Sequence, residues 1–272
     1  MKNKRFEVLA VGNSFSEDAL AHLHNIAAAL GKKDILIANL YIGGCSLATH
    51  YINAQNNNKD YEFQIWKDGN KQPLQKYSIL DGLVYSDWDY ISLQQVSTLS
   101  GQADTYDYDI LRYLVSYFKQ YTINPDVKIV WQATWAYQGN SNHEAFNNYD
   151  NNQMTMYNSI NAAVKECINN NHNFELIIHN TTAIQNARTS YLGDELTRDG
   201  FHLSLKEGRL IAALMYYKTL TGADISQLPD RLKGYLDLDN YFYRMAVESV
   251  ENAYNNPYQI TKSKFIQNPE RY

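Results

Sequence analysis

Phe6-Glu7-Val8-Leu9-Ala10-Val11-Gly12-Asn13-Ser14-Phe15-Ser16 reads as a short apolar strand that breaks at a glycine and turns straight into a helix. Beyond the break, Leu20, Leu23, Ile26, Ala27 and Leu30 recur at helical spacing, and Gly31 ends the run. The same alternation continues downstream. Further strands are predicted at 34–42, 90–93, 127–131 and 174–178, besides the first at 6–11. Between them, 46–58 is helical or irregular and 78–86 a short helix. Ile110, Leu111, Leu114, Val115 and Phe118 mark one longer helix; Met156, Ile160, Ala163, Val164, Cys167 and Ile168 mark another. A last core helix starts at Ser204, where Ser204-Leu205-Lys206-Glu207 fits a capping box, and carries Leu210, Ile211, Leu214 and Tyr217. Strands alternating with helices predict an α/β fold with a five-stranded parallel sheet covered on both faces.

Two segments fall outside that alternation. Tyr61, Phe63 and Ile65 alternate ahead of Asp68-Gly69, a hairpin signal, so 60–77 is predicted as a β-hairpin inserted in a crossover. Residues 225–272 form a C-terminal extension, helical around 241–253 and then polar. No repeat or linker divides the chain, so 1–272 reads as one domain.

The 272 residues carry 24 Lys and Arg against 29 Asp and Glu, a net charge of −5. That balance supplies no basic face for nucleic acid. Two cysteines, Cys45 and Cys167, make no disulfide framework in a chain of this length. The run from Val8 to Val11 is too short for a signal segment, and no stretch approaches the roughly 18 apolar residues of a membrane helix. The chain as it stands is therefore expected in the cytoplasm, and in the periplasm or outside the cell if a leader has been removed.

In an open parallel sheet, ligands bind at the carboxyl ends of the strands. Those ends read Gly12-Asn13-Ser14, Gly43-Gly44-Cys45-Ser46, Gln94-Gln95-Val96-Ser97, Thr134-Trp135-Ala136-Tyr137 and His179-Asn180-Thr181-Thr182. The loop Thr197-Arg198-Asp199-Gly200-Phe201-His202 precedes the last core helix. Ser14 at a sharp strand-to-helix turn offers an exposed hydroxyl beside helix N–H groups, or else caps the helix with Glu17 three residues on. Asp199 and His202 are spaced so that a turn brings the carboxylate to the imidazole, or His202 is a loop histidine bonded to backbone. Gly43 and Gly44 allow close approach of backbone to a ligand, or simply a tight turn. Gln95 could aim an amide at an oxyanion, or cap a loop. Trp135 and Tyr137 suit a sugar platform, or cap the sheet as core.

Taken together, Gly12-Asn13-Ser14, Asn39-Leu40-Tyr41-Ile42-Gly43-Gly44, the strand-end amides and Asp199-Gly200-Phe201-His202 resemble the SGNH (GDSL-like) hydrolase superfamily. The likeness covers residues 6 to about 220 and is nearest to a bacterial branch sharing the Gly-Asn-Ser-Phe-Ser, Leu-Gln-Gln, Thr-Trp-Ala-Tyr and Asp-Gly-Phe-His-Leu segments. It implies a flavodoxin-like three-layer α/β/α sandwich and a Ser14-His202-Asp199 triad. It also implies an oxyanion hole of the Ser14 and Gly44 N–H groups with a side-chain amide, for which Gln95 is the choice and Gln94 the alternative. Asn13 stands where the family usually has Asp, and the glutamines stand where it usually has Asn.

The implied function is a serine esterase that hydrolyses short acyl esters, acetyl first among them, on a carbohydrate. Asn13, Gln94, Trp135 and Tyr137 would line the substrate site. Such chemistry calls for no metal and no cofactor. The rival from another class is a non-catalytic carbohydrate-binding relative. Two further pairs stand out in the sequence. His22 and His24 as metal ligands would point to different helix faces, and Cys45 with His50 would make a thiol pair.

Overall fold

A computed structural model describes residues 5–67, 70–227 and 229–267. β1 (Arg5–Gly12) lies in the middle of one sheet. On one side it pairs in parallel with β2 (Asp34–Tyr41), on the other with β5 (Tyr90–Leu93). β6 (Lys128–Ala133) and β7 (Leu176–His179) continue in parallel beyond β5. These are the five predicted strands, and their carboxyl ends share one edge.

The expected five-stranded sheet needs one correction, because the hairpin joins it. β3 (Tyr61–Lys67) runs antiparallel along β2, and β4 (Asn70–Tyr77) runs antiparallel along β3, giving a seven-stranded mixed sheet in the order β4-β3-β2-β1-β5-β6-β7. The reason is backbone satisfaction. Without β3, the outer face of β2 would present unpaired N–H and C=O groups. β3 buries Tyr61, Phe63 and Trp66 against the core, whereas β4 is exposed up to its last residue, Tyr77, and carries Pro73, which an edge strand tolerates. The Asp68-Gly69 turn lies outside the described residues.

Helices cover both faces. α1 (Ser14–Leu20) and α2 (Leu23–Ala29) pack with α8 (Glu207–Thr221) on one side. α3 (Leu47–Asn56), α4 (Ile79–Leu83) and α5 (Tyr108–Tyr121) pack together on the other. α6 (Gln153–Ala163) continues through a π-helical turn at Val164–Asn169. The predicted single helix after β1 is thus two, broken at Ala21-His22. The last core helix begins at Glu207 rather than Ser204, with Ser204 Oγ accepting the Gly208 N–H at 2.9 Å. α7 (Asn180–Ala187) fills what read as a strand-end loop, and α9 (Asp230–Leu236) is likewise additional. α10 (Asn240–Asn255) packs on α7 and α8 and realises the helical extension. Among the described residues no helix is long and apolar enough to cross a membrane.

Candidate active site

The turn after β1 decides which hydroxyl is free. Asn13, not Ser14, caps α1: its Oδ1 accepts the Phe15 N–H at 2.9 Å, while Ser16 Oγ accepts the Asn13 N–H at 3.0 Å. The Asn13 amide is itself fixed, donating to the Cys45 carbonyl and receiving Gln94 Nε2 at 2.8 Å. Ser14 is left as the first helical residue with its side chain turned to a cleft of about 390 Å³.

His202 Nε2 lies 2.8 Å from Ser14 Oγ, and its Nδ1 lies 2.7 Å from Asp199 Oδ2. The other Asp199 oxygen accepts the N–H groups of His202 and Phe201 at 2.8 and 3.2 Å. Burial pushes the Asp199 carboxyl up, but the hydrogen bonds from the His202 ring and these two N–H groups outweigh it and hold it below the usual carboxylate range. An ionised Asp199 keeps the ring proton on Nδ1 and the lone pair on Nε2, facing the Ser14 hydroxyl.

The loop that carries this pair is closed on itself. Thr197 and Leu203 bridge in antiparallel fashion, and Arg198 N–H donates to the His202 carbonyl at 2.9 Å. Gly200 sits at φ +91°, and a Cβ there would stand 3.0 Å from Ser141 Oγ, so the turn depends on glycine.

Gly43 and Gly44 line the cleft opposite, with Gly44 at φ +64°. Among the described residues, neither the Ser14 nor the Gly44 N–H meets a protein acceptor.

The amide expectation is corrected. Gln95 Nε2 donates to the Thr105 carbonyl and hydroxyl, both at 3.1 Å, and its Oε1 accepts the Leu47 and Val96 N–H groups. It faces away from the cleft. Gln94 holds Asn13 instead. From this strand end it is Val96, Ser97 and Thr98 that face the cleft.

Trp135 and Tyr137 are corrected too. Both are fully buried. Trp135 stacks on Phe15 with ring centres 4.4 Å apart and donates its indole N–H to the Phe201 carbonyl at 2.8 Å. Tyr137 bonds Ser97 Oγ at 2.9 Å, and burial pushes its hydroxyl up to about 12. No face of either ring is free for a sugar.

Neither rival pair lines the cleft. Cys45 lies 3.4 Å from His50 Nδ1, but both are buried; burial pushes the thiol up to about 12 and the imidazole down to about 3, so no thiolate pair forms at neutral pH. His22 donates Nε2–H to the Leu205 carbonyl. Among the described residues no group of three or more His, Cys, Asp or Glu is arranged to hold a metal.

Sequence reasoning missed several cleft residues: Glu17, Tyr41, His143, Arg198 and Phe201. Glu17 could have been found from its place one turn after Ser14. His143 lies in a loop without periodic pattern and left no such signal.

The DUF4886 profile, a domain of unknown function, matches residues 7–233. A DUF4886 family protein from Bacteroides uniformis is 40% identical in a solved structure that covers 95% of this chain and 98% of its own, with a TM-score of 0.86. A protein from Slackia heliotrinireducens provisionally described as an SGNH hydrolase superposes with a TM-score of 0.50 at 19% identity, over 79% of this chain and 99% of its own. An acetylxylan esterase from Geobacillus stearothermophilus does so with 0.51 at 14% identity, over 81% and 97%. The fold therefore resembles that of SGNH hydrolases. None of the curated proteins matches this chain.

Proposed function

The chain belongs to the DUF4886 family, and we propose that it is a serine esterase acting on short acyl esters, acetyl above all, of a carbohydrate. The observation that carries this reading is the line Asp199–His202–Ser14, with each imidazole nitrogen within 2.8 Å of its partner. His202 takes the Ser14 proton as Oγ attacks the ester carbonyl. The tetrahedral oxyanion is met by the N–H groups of Ser14 and Gly44, each contributing roughly 3 kcal/mol to lowering the barrier. His202 then protonates the departing alcohol. A water deprotonated by the same nitrogen releases the acid.

Short acyl groups suit a cleft of about 390 Å³ whose walls set Glu17, Ser97, Thr98 and Arg198 beside Phe15 and Phe201, with Val96 the one aliphatic side chain among the described lining residues. The acetylxylan esterase with the same fold supports the acetyl-sugar choice. The test is turnover of a panel of acetyl and longer-chain esters, with Ser14→Ala as control. Acetyl esters should be turned over fastest, and Ser14→Ala should lose at least about 10³-fold in kcat. Binding of acetylated sugars without turnover would instead make the protein a non-catalytic carbohydrate binder.

A further inference from the structure

We infer that His143 is a specificity-determining residue that donates Nε2–H to an oxygen of the alcohol half of the ester, and so selects a polyhydroxylated, uncharged alcohol. This rests on the esterase reading, which fixes the side of the cleft where the alcohol lies. The nitrogen that protonates the departing oxygen is His202 Nε2, so the alcohol occupies the His202 side of Ser14. On that side the next ring is Phe201, 4.2 Å from the His202 ring between centres, and the one after it is His143, 4.7 Å from Phe201. A single sugar ring spans such a gap.

The tautomer is fixed by the fold. His143 caps the short helical turn at Glu144–Tyr149, and its Nδ1 accepts the Ala145 N–H at 3.1 Å. A backbone N–H can only donate, so the proton of the neutral ring sits on Nε2. Among the described residues that Nε2–H meets no acceptor, although the ring lines the cleft.

Its position is equally determined. The ring packs against Tyr137, 5.0 Å between centres. The loop leading to it is bound to the triad loop: Gln138 N–H donates to the Gly200 carbonyl at 2.8 Å, and the Thr197 hydroxyl donates to Gln138 Oε1. Gly200 is the residue that lets Ser141 approach. The same two loops thus set His202 and His143.

Charge decides between a neutral and an anionic acceptor. The Glu17 carboxylate on the cleft wall is paired with Lys71 at 2.7 Å, and the guanidinium of Arg198 is engaged by the buried Asp18 at 3.0 Å. An anionic alcohol would have to compete with these carboxylates for the cations beside the cleft. A hydroxyl or ring oxygen of a neutral sugar accepts the Nε2–H without that cost.

The experiment compares a methyl xyloside carrying one acetyl group with cyclohexyl acetate, a ring of the same size without the oxygens. His143→Phe keeps the ring and removes the donor; His143→Gln restores an N–H. In His143→Phe the preference in kcat/KM for the xyloside over cyclohexyl acetate should fall about tenfold, mostly through KM, and His143→Gln should recover part of it. Equal losses on both esters, or no change in the ratio, overturn the inference. Binding of the same xyloside to Ser14→Ala, with and without His143→Phe, reads the contact without turnover. His143-dependent binding by a protein that hydrolyses nothing would uphold this inference and sink the esterase reading. Binding indifferent to His143 would overturn it whatever the activity.

Discussion

The buried carboxylate of Asp18 accepts the backbone N–H of Leu203 at 2.8 Å, so the helix that begins with Ser14 grips the chain immediately after His202. Asp18 stands one turn beyond Ser14 on α1. It also receives Arg198 at 3.0 Å and Arg209 at 2.7 Å. Both shoulders of the Asp199–His202 turn are therefore tied to one side chain. Asp18→Ala leaves two partly buried guanidinium groups and the Leu203 N–H unmatched, and should cost about 3–5 kcal/mol in urea unfolding. Asp18→Asn keeps an acceptor for Leu203 and should cost less. An Ala variant as stable as the parent would mean that the arginines find other partners.

Covalent labelling separates the two candidate nucleophiles. An organophosphonate probe should attach to Ser14, seen by peptide mass spectrometry, and not to Cys45, whose thiol burial holds near 12. Attachment at Cys45, or none on a protein that turns over esters, would remove Ser14 from its assigned role.

Gln95 now belongs to the frame. Its amide joins the Thr105 turn to the Leu47 and Val96 N–H groups. Gln95→Ala strands those two N–H groups and should lower stability by about 3 kcal/mol. The folded fraction should keep its kcat within a few-fold. A hundredfold fall in kcat at unchanged stability would return the residue to the oxyanion hole.

Acid should weaken the fold through its buried imidazoles. Burial lowers His179 to about 4 and His50 to about 3, so the folded chain leaves them neutral where the unfolded chain already binds protons. The unfolded state then holds more protons between the ordinary histidine value, about 6.5, and these lowered values, and stability must fall as pH falls through that window. His179 alone accounts for a loss on the order of 3 kcal/mol. Urea midpoints measured from pH 7 to 4 should decline, and His179→Asn should flatten the slope. A slope untouched by that change would place the proton uptake elsewhere.

The parallel strands were legible because each is local, and the Asp-x-x-His spacing showed that a turn could join that pair; Ser14 stayed open between nucleophile and helix cap until the family resemblance was added. An apolar run with a glycine stop, or a carboxylate three residues before an imidazole, carries its geometry in its spacing. Gln95 and Trp135 were misread because orientation beyond a strand end is tertiary. Gln95 turns toward Thr105, and Trp135 lies beneath Phe201, both partners set by loops distant in sequence. The hairpin was legible as a hairpin, but its strand alternation does not say which sheet edge it will extend. Asp18 carries no local signal; its meaning appears only with Arg198 and Leu203 folded over it.

Ser14 and His202 meet across 188 residues of chain. During synthesis β1 leaves the ribosome early, yet β5, which pairs along one of its sides, comes much later, and Arg198, Leu203 and Arg209, which enclose Asp18, come later still. A nascent chain that stops short of Arg198 holds a serine without its base and a carboxylate without its counter-charges. The pairing of Ser14 with His202 therefore waits until some three quarters of the 272 residues have been joined, and a chain cut before that point has none.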